Sequence, residues 1–186
     1  MYFRLQAAYG CSGGSSAIEA CITVLRTGPD DAKASAMCVL ANISYQEQHV
    51  EHLVEAGVIT TVLDVMQSMN SRGKFYAALT LASFSDRLGV VASKLRRRTS
   101  MLSVVTDAAA VLVQELQRVG ADEELKFDAV RALTRILRHK QHVDAVVAVG
   151  AVAALAQVHQ NGSQDIKCEA SVALDLISAE RSQIDN

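Results

Sequence analysis

Apolar residues recur along most of the chain at intervals of three and four positions, the spacing of one face of an α-helix. One twelve-residue block of this kind is written four times, beginning at Lys33, Lys74, Lys126 and Lys167. The copies begin 41, 52 and 41 residues apart, with alanine at the fourth place and leucine at the eighth place of each. A helical pattern with a period near forty predicts stacked helical repeats, which usually work as extended binding surfaces.

The segment after the first block predicts two further helices that meet at a glycine. A short amphipathic helix over 45–57 ends at Gly57, and a second helix follows over 58–68. The same order returns 93 positions later, over 141–160, where Gly150 stands in the place of Gly57. Glycine is typical of a helix C-terminus because it adopts left-handed backbone angles at no steric cost. One repeat therefore contains a short helix, a glycine corner, a second helix and a longer third helix.

The wider spacing in the middle of the chain places an irregular segment at 86–100. This segment predicts a distorted helix and then an exposed loop, after which a helix resumes near Ser103. Neither end of the chain carries the clearly polar face of a capping repeat, which leaves a longer solenoid or self-association open. We expect one domain, 1–186, with repeat pieces at about 1–44, 45–85, 86–137 and 138–179 and a tail at 180–186.

The composition favours an all-α protein whose core is built from small aliphatic side chains. Half of the 186 residues are hydrophobic, yet aromatic residues make up only 4%, Trp is absent and there is one Pro. Good helix formers with a single Pro favour helices. The net charge of -2 gives no general attraction to nucleic acid or to an anionic membrane.

No targeting or spanning segment is expected from the sequence. The chain has no run of eighteen apolar residues, and its N-terminus lacks the pattern of a signal peptide. Its four cysteines show no CxxC spacing, which favours a reducing, intracellular compartment. We expect a cytoplasmic location, with nuclear, cytoskeletal and ciliary locations left open.

Residues 53–66, LVEAGVITTVLDVM, and residues 39–44, VLANIS, resemble the armadillo repeat family. Its repeats have three helices in about forty residues, with an EAG-like corner after the first and an LxNLx-like end to the third. The resemblance covers nearly the whole chain. It implies an all-α, right-handed superhelical solenoid of about four armadillo-like repeats, partial at both ends.

In this family the third helices line a concave groove, where partners lie as extended peptides. Importin-like members carry a Trp and, four residues later, an Asn in each third helix. The Trp places hold Cys38, Leu79, Arg131 and Val172 here, and the Asn places hold Asn42, Ser83, Arg135 and Leu176. Only Asn42 matches, so a receptor for nuclear localisation signals is not expected.

The third block carries a stripe of charged residues that we call the arginine stripe: Asp128, Arg131, Arg135 and Arg138. Its members are three or four positions apart and so share one helix face. The core side of the same helix is predicted to hold Phe127, Val130, Leu133 and Leu137, while His139, Lys140 and His142 extend the stripe at the turn. Arginine binds carboxylate and phosphate groups through a planar fork, which suits an acidic peptide, as in catenin-like members. The alternative is a solvated face on which Asp128 and Glu124 balance the arginines.

Two further patterns concern a candidate phosphorylation site and candidate metal ligands. Arg96, Arg97 and Arg98 precede Thr99 and Ser100, which is a pattern that basophilic kinases accept, and a phosphate there would be held by the arginines. The alternative is a solubilising insertion. His49 with His52, and His139 with His142, have no cysteine or carboxylate that completes a metal-ligand set, so surface histidines are expected.

The sequence contains no catalytic constellation, so we expect no enzyme, no cofactor and no metal. We predict a protein–protein interaction scaffold that binds an extended acidic segment of a protein partner in a groove centred on Asn42, Ser83, Arg131 and Arg135. The alternative is a structural module that stacks into a longer solenoid or into a cytoskeletal or ciliary complex. No nucleic acid or membrane partner is expected, and the oligomeric state is left open.

Overall fold

The computed structural model describes residues 14–66, 69, 71–84 and 101–184. Within these ranges the chain forms ten α-helices and one 3-10 turn, without a strand, so the all-α prediction is confirmed. The helices are α1 (Gly14–Thr27), α2 (Asp30–Ser44), α3 (Glu47–Glu55), α4 (Val58–Met66), α5 (Ser71–Ser83), α6 (Met101–Gln117), α7 (Glu123–Leu137), α8 (Val143–Ala148), α9 (Ala151–Asn161) and α10 (Gln164–Ile184), with the 3-10 turn at Lys140–His142.

The predicted order of helices within a repeat is confirmed twice, by α3 to α5 and by α8 to α10. Gly57 and Gly150 have φ angles of 76° and 86°, the left-handed region in which a Cβ atom would be strained. Each glycine therefore allows the chain to turn from the first helix of a repeat into the second. The predicted irregular segment at 86–100, with its candidate phosphosite at 96–100, lies outside the described residues.

One predicted boundary is wrong, because the last helix continues through most of the expected tail. α10 ends at Ile184 rather than near Ala179. No glycine or proline interrupts it, and the Ser182 hydroxyl donates a hydrogen bond to the Ser178 carbonyl oxygen at 2.9 Å. Helix formers thus carry the last repeat to its end.

The chain divides into two compact units, with the boundary in sequence between Ala77 and Ala78. In the first unit α1 packs against α2, α3 and α4, and α2 packs against α3. In the second unit α7 lies between α6 and α10, and α9 packs against α6 and α10. The third helices of two successive repeats, α7 and α10, are thus direct neighbours.

The recurring alanine and leucine of the four blocks form the core. The alanines at the fourth place are all buried: Ala36, Ala77, Ala129 and Ala170. The leucines Leu40, Leu81 and Leu133 are buried as well, whereas Leu174 on the outermost helix is half-buried. Small side chains at these contacts let neighbouring helices approach closely, so the repeated pattern is a packing pattern.

The described residues contain neither a single helix that could span a membrane nor a group of side chains that could hold a metal ion. No single described helix is long and apolar enough to cross a membrane, although the segments Lys140–Ala148 and Ala151–Asn161 pass that test as a pair bent by 83°. The same residues contain no group of three or more His, Cys, Asp or Glu side chains that could hold a metal ion.

The turn between α7 and α8 buries a histidine that the sequence placed on the surface. His142 is 3% exposed, and its ring lies 6.1 Å from that of His139, centroid to centroid. Its Nε2 lies 3.2 Å from the Gln141 amide nitrogen, and its Nδ1 has no hydrogen-bond partner among the described residues. Burial above all, and then the neighbouring His139, lowers the pKa of His142. Because the side chain is buried, it does not extend the arginine stripe.

We expect the tight packing of α7 to be sensitive to volume. Ala129→Leu adds side-chain atoms at a fully buried contact and should lower the free energy of unfolding by about 1–3 kcal/mol. Urea denaturation followed by circular dichroism measures the change. Ala153→Leu, on the exposed face of α9, is the matched control and should change the stability by less than about 0.5 kcal/mol. Equal losses in the two variants would contradict close packing at the fourth place.

We also expect His142 to make stability depend on pH. Because its folded pKa is lower than its unfolded pKa of about 6.5, the unfolded chain binds the extra proton first as the pH falls. The contribution is complete above about pH 6.5 and is lost as the pH falls towards the folded pKa. His142→Gln should flatten this part of a plot of unfolding free energy against pH, whereas His52→Gln, at an exposed site on α3, should not. A His142→Gln profile parallel to the native one would contradict a buried neutral histidine.

Candidate binding surface

The arginine stripe is held in place by the way α7 begins and packs. Asp122 caps the helix, since its carboxylate accepts a hydrogen bond from the Glu124 backbone N–H at 3.1 Å. Val130, Leu133 and Leu137 are buried, as predicted. Because this side is fixed in the core, the orientation of α7 about its own axis is set, and the stripe takes the opposite side.

Arg131 is fixed from two directions and remains accessible. Its guanidinium donates a hydrogen bond to Asp128 Oδ1 at 3.2 Å and lies over the Phe127 ring, 5.7 Å from the ring centre. The Arg131 side chain is 42% exposed and that of Asp128 is 8% exposed. An arginine that is already ordered loses less conformational entropy when it binds a partner.

The expectation for Phe127 is corrected by this arrangement. We predicted that it takes the core side of α7, but the ring is only half-buried and lies beneath Arg131. An aromatic face attracts a guanidinium through the negative charge of its π system. Phe127 is therefore part of the stripe's support rather than of the core.

The other two arginines continue the stripe to the end of the helix. Arg135 is half-buried, and Arg138 is exposed at the C-cap position of α7, where positive charge is favourable. Three arginines outweigh the one buried carboxylate of Asp128, so the stripe carries net positive charge. Just beyond α7, Lys140 Nζ pairs with Glu180 Oε2 of α10 at 3.0 Å.

In the first unit, Asn42 belongs to a polar cluster that sequence analysis missed. Its amide nitrogen lies 3.8 Å from Cys38 Sγ on the same helix. Tyr76 of α5 joins the cluster, and burial first, with Cys38 among the further causes, raises the pKa of its hydroxyl. Arg72 lies over the Tyr76 ring at 5.9 Å. The spacing of Arg72 and Tyr76, four positions apart on one helix face, was the available signal.

Ser83 does not contribute to a binding surface, which corrects our prediction. It is 1% exposed, and its hydroxyl donates to the Thr80 carbonyl oxygen at 2.6 Å. Leu79, at the neighbouring groove position, is buried too. α5 is buried along 75–84 because it is apolar on nearly every side, and such a helix has no face left for solvent. The positions expected to line the groove are therefore accessible on α2, α7 and α10 but not on α5.

Comparison with known proteins shows the fold of this chain. No protein-family model and no curated protein sequence matches the chain. Among solved structures, a designed armadillo repeat protein is similar with a TM-score of 0.63 at 17% identity, covering 86% of this chain and 64% of the designed one. An engineered protein solved by the Northeast Structural Genomics Consortium has a TM-score of 0.64 at 23% identity, covering 87% of this chain and 38% of the other.

A second engineered protein from the same consortium has a TM-score of 0.52 at 21% identity and covers 88% of this chain and 80% of its own. The chain thus spans 64% and 38% of the length of the first two structures. At 17% to 23% identity these similarities concern the fold alone. The chain has the armadillo-like helical repeat fold that the sequence predicted.

Proposed function

We propose that this protein is a non-enzymatic interaction module that binds an extended acidic segment of a protein partner. The observation that carries the proposal is Arg131, which is held by Asp128 and Phe127 and still exposes 42% of its side chain. Asp128 acts as a positioning residue, because it orients the guanidinium from a buried site. Arg135 and Arg138 add positive charge along the same helix face.

The chemistry of the stripe favours carboxylates in the partner. A guanidinium can form two parallel hydrogen bonds with one carboxylate, and hydrogen bonds to charged groups contribute about 1.5–3 kcal/mol each. Part of the attraction acts at long range and is screened by salt. Binding should therefore weaken as ionic strength rises.

Taken by itself, the first unit offers a polar group of a different kind, the side-chain amide of Asn42. A side-chain amide can donate to and accept from the backbone of an extended peptide. Its present neighbour, Cys38 Sγ at 3.8 Å, is a weak acceptor that a peptide carbonyl oxygen can replace with gain. Stacked helical repeats commonly serve as binding surfaces, although the fold alone does not choose the partner.

The alternative, a module that stacks into a longer solenoid, is less well supported because α10 carries polar side chains where a further repeat would pack. On α10, Ser171 and Asp175 take the fifth and ninth places of the block. The equivalent pairs are Met37 and Ala41, Ala78 and Ala82, and Val130 and Thr134, all of which are buried. A further repeat would gain little apolar burial at these two places of α10.

The proposal predicts that peptides selected from a random displayed library are enriched in Asp and Glu. Arg131→Gln combined with Arg135→Gln should weaken their binding about 100-fold, at roughly tenfold for each lost charged hydrogen bond. Fluorescence anisotropy with a labelled peptide, at low and high salt, measures the affinity.

Arg181→Gln, at an exposed site on α10, is the matched control and should leave the affinity unchanged. Circular dichroism melting curves establish that each variant is folded. If the library yields no acidic preference, or if the double variant binds its peptides as tightly as the native protein, the proposed function is wrong.

A further inference from the structure

The arginine stripe has an apolar neighbour on α10. Val172 and Leu176 stand 41 positions after Arg131 and Arg135, at the equivalent places of the next third helix. Val172 is 46% exposed and Leu176 is half-buried. Because α7 and α10 pack side by side in one unit, equivalent places face the same way.

Val172 and Leu176 are called the apolar strip here. An ion pair links the far end of this strip to the turn that follows α7. Glu180 lies four positions after Leu176 and so shares its helix face, and its carboxylate pairs with Lys140 at 3.0 Å. Lys140 follows directly after α7 and its C-cap, Arg138. The face that carries Val172 and Leu176 is thereby tied to the end of the helix that carries the arginines.

The apolar character of this strip contrasts with the next face of the same helix. Ser171 and Asp175, which take the places used for stacking in the earlier blocks, are polar. Val172 and Leu176, at the places equivalent to Arg131 and Arg135, are therefore partly exposed aliphatic side chains. The places that are buried between helices in the earlier blocks carry polar side chains on α10 instead. The exposed aliphatic surface of α10 thus lies beside the arginine stripe and not on the stacking places.

We propose that Val172 and Leu176 form a subsite for a large apolar side chain of the same partner segment whose acidic residue binds Arg131 and Arg135. This inference rests on the proposed function and makes it more specific. The partner then carries an acidic residue and an apolar residue on one side of an extended stretch. Burial of one such apolar side chain should change affinity by about tenfold or more.

Simple geometry sets the spacing between the two residues. Axes of packed helices are about 8–10 Å apart. Alternate residues of an extended chain point to the same side and lie about 7 Å apart. The arginine side chain is long enough to make up the difference between the separation of the helix axes and the spacing of the two peptide residues. The expected motif is therefore an acidic residue and a large aliphatic residue with one residue between them.

Charge favours a partner segment over a second copy of this chain at the subsite. A two-fold contact centred on Val172 would bring each copy's arginine stripe towards the other, since symmetric contacts pair a surface with itself. Like charges in apposition oppose association. An acidic segment meets the same surface with complementary charge.

The test compares peptides selected from one displayed library by three folded proteins. The native protein should select an acidic residue and an aliphatic residue two positions apart. Val172→Ser with Leu176→Ser should retain the acidic preference and lose the aliphatic one, and should bind native-selected peptides about tenfold more weakly. Val172→Ser alone, at an exposed site, keeps the test available if the double variant does not fold. Asp175→Asn, on the stacking face, is the matched control and should select the native motif.

Each other result overturns the inference in an identifiable way. If Val172→Ser with Leu176→Ser selects the native motif with native affinity, the subsite is wrong and the proposed function stands. If the native protein shows no acidic preference, the proposed function and the subsite fail together. If sedimentation shows a dimer that is lost in the serine variants, a second copy occupies the strip and the subsite is wrong.

Discussion

The burial of the alanine at the fourth place of each block is the constraint on which this structure depends. Ala129 and Ala170 are both fully buried, and they lie on the two third helices, α7 and α10, that pack against each other. Once the side of α7 that carries Ala129 is fixed in the core, the directions of Arg131 and Arg135, at the sixth and tenth places of the block, are fixed as well. The proposed binding chemistry is therefore a consequence of packing, because the core determines which side chains remain accessible.

The fixed scaffold leaves the outward places free to differ from repeat to repeat. They hold an amide on α2, two arginines on α7 and two aliphatic residues on α10. The support beneath them differs too: Arg131 is ordered by Asp128 and Phe127, whereas Asn42 has a cysteine beside it. In the second unit, where α7 and α10 are neighbours, arginines beside aliphatic residues suit one sequence of partner residues better than a repetitive one.

Much of the fold follows from the sequence, since it is written in local patterns. The helix order, the glycine corners at Gly57 and Gly150 and the buried alanines could all be predicted from spacing and backbone preference. The errors have two different causes. The burial of His142 in a turn depends on packing that periodicity does not specify. Phe127 lies beneath Arg131, which is four positions later on the same helix face, so a local pattern was available for this pair and was outweighed by the hydrophobicity of phenylalanine.

Ser83 is a different kind of error, because the signal was present. From Phe75 to Ser83, α5 has no charged side chain, and its polar groups are the hydroxyls of Tyr76, Thr80 and Ser83, which is the pattern of a helix buried on nearly every side. Alignment of the four blocks assigned Ser83 a role by position, and the composition of its own helix argued against that role. The equivalent position is informative only where the helix keeps a polar or exposed face, as α7 does.

The most direct test of the proposed binding surface is a chemical-shift map of the isotope-labelled protein with a bound, library-selected acidic peptide. The largest changes should fall on the side-chain N–H groups of Arg131 and Arg135 and on the methyl groups of Val172 and Leu176. Changes confined to other helices, such as α6 and α9, would contradict it.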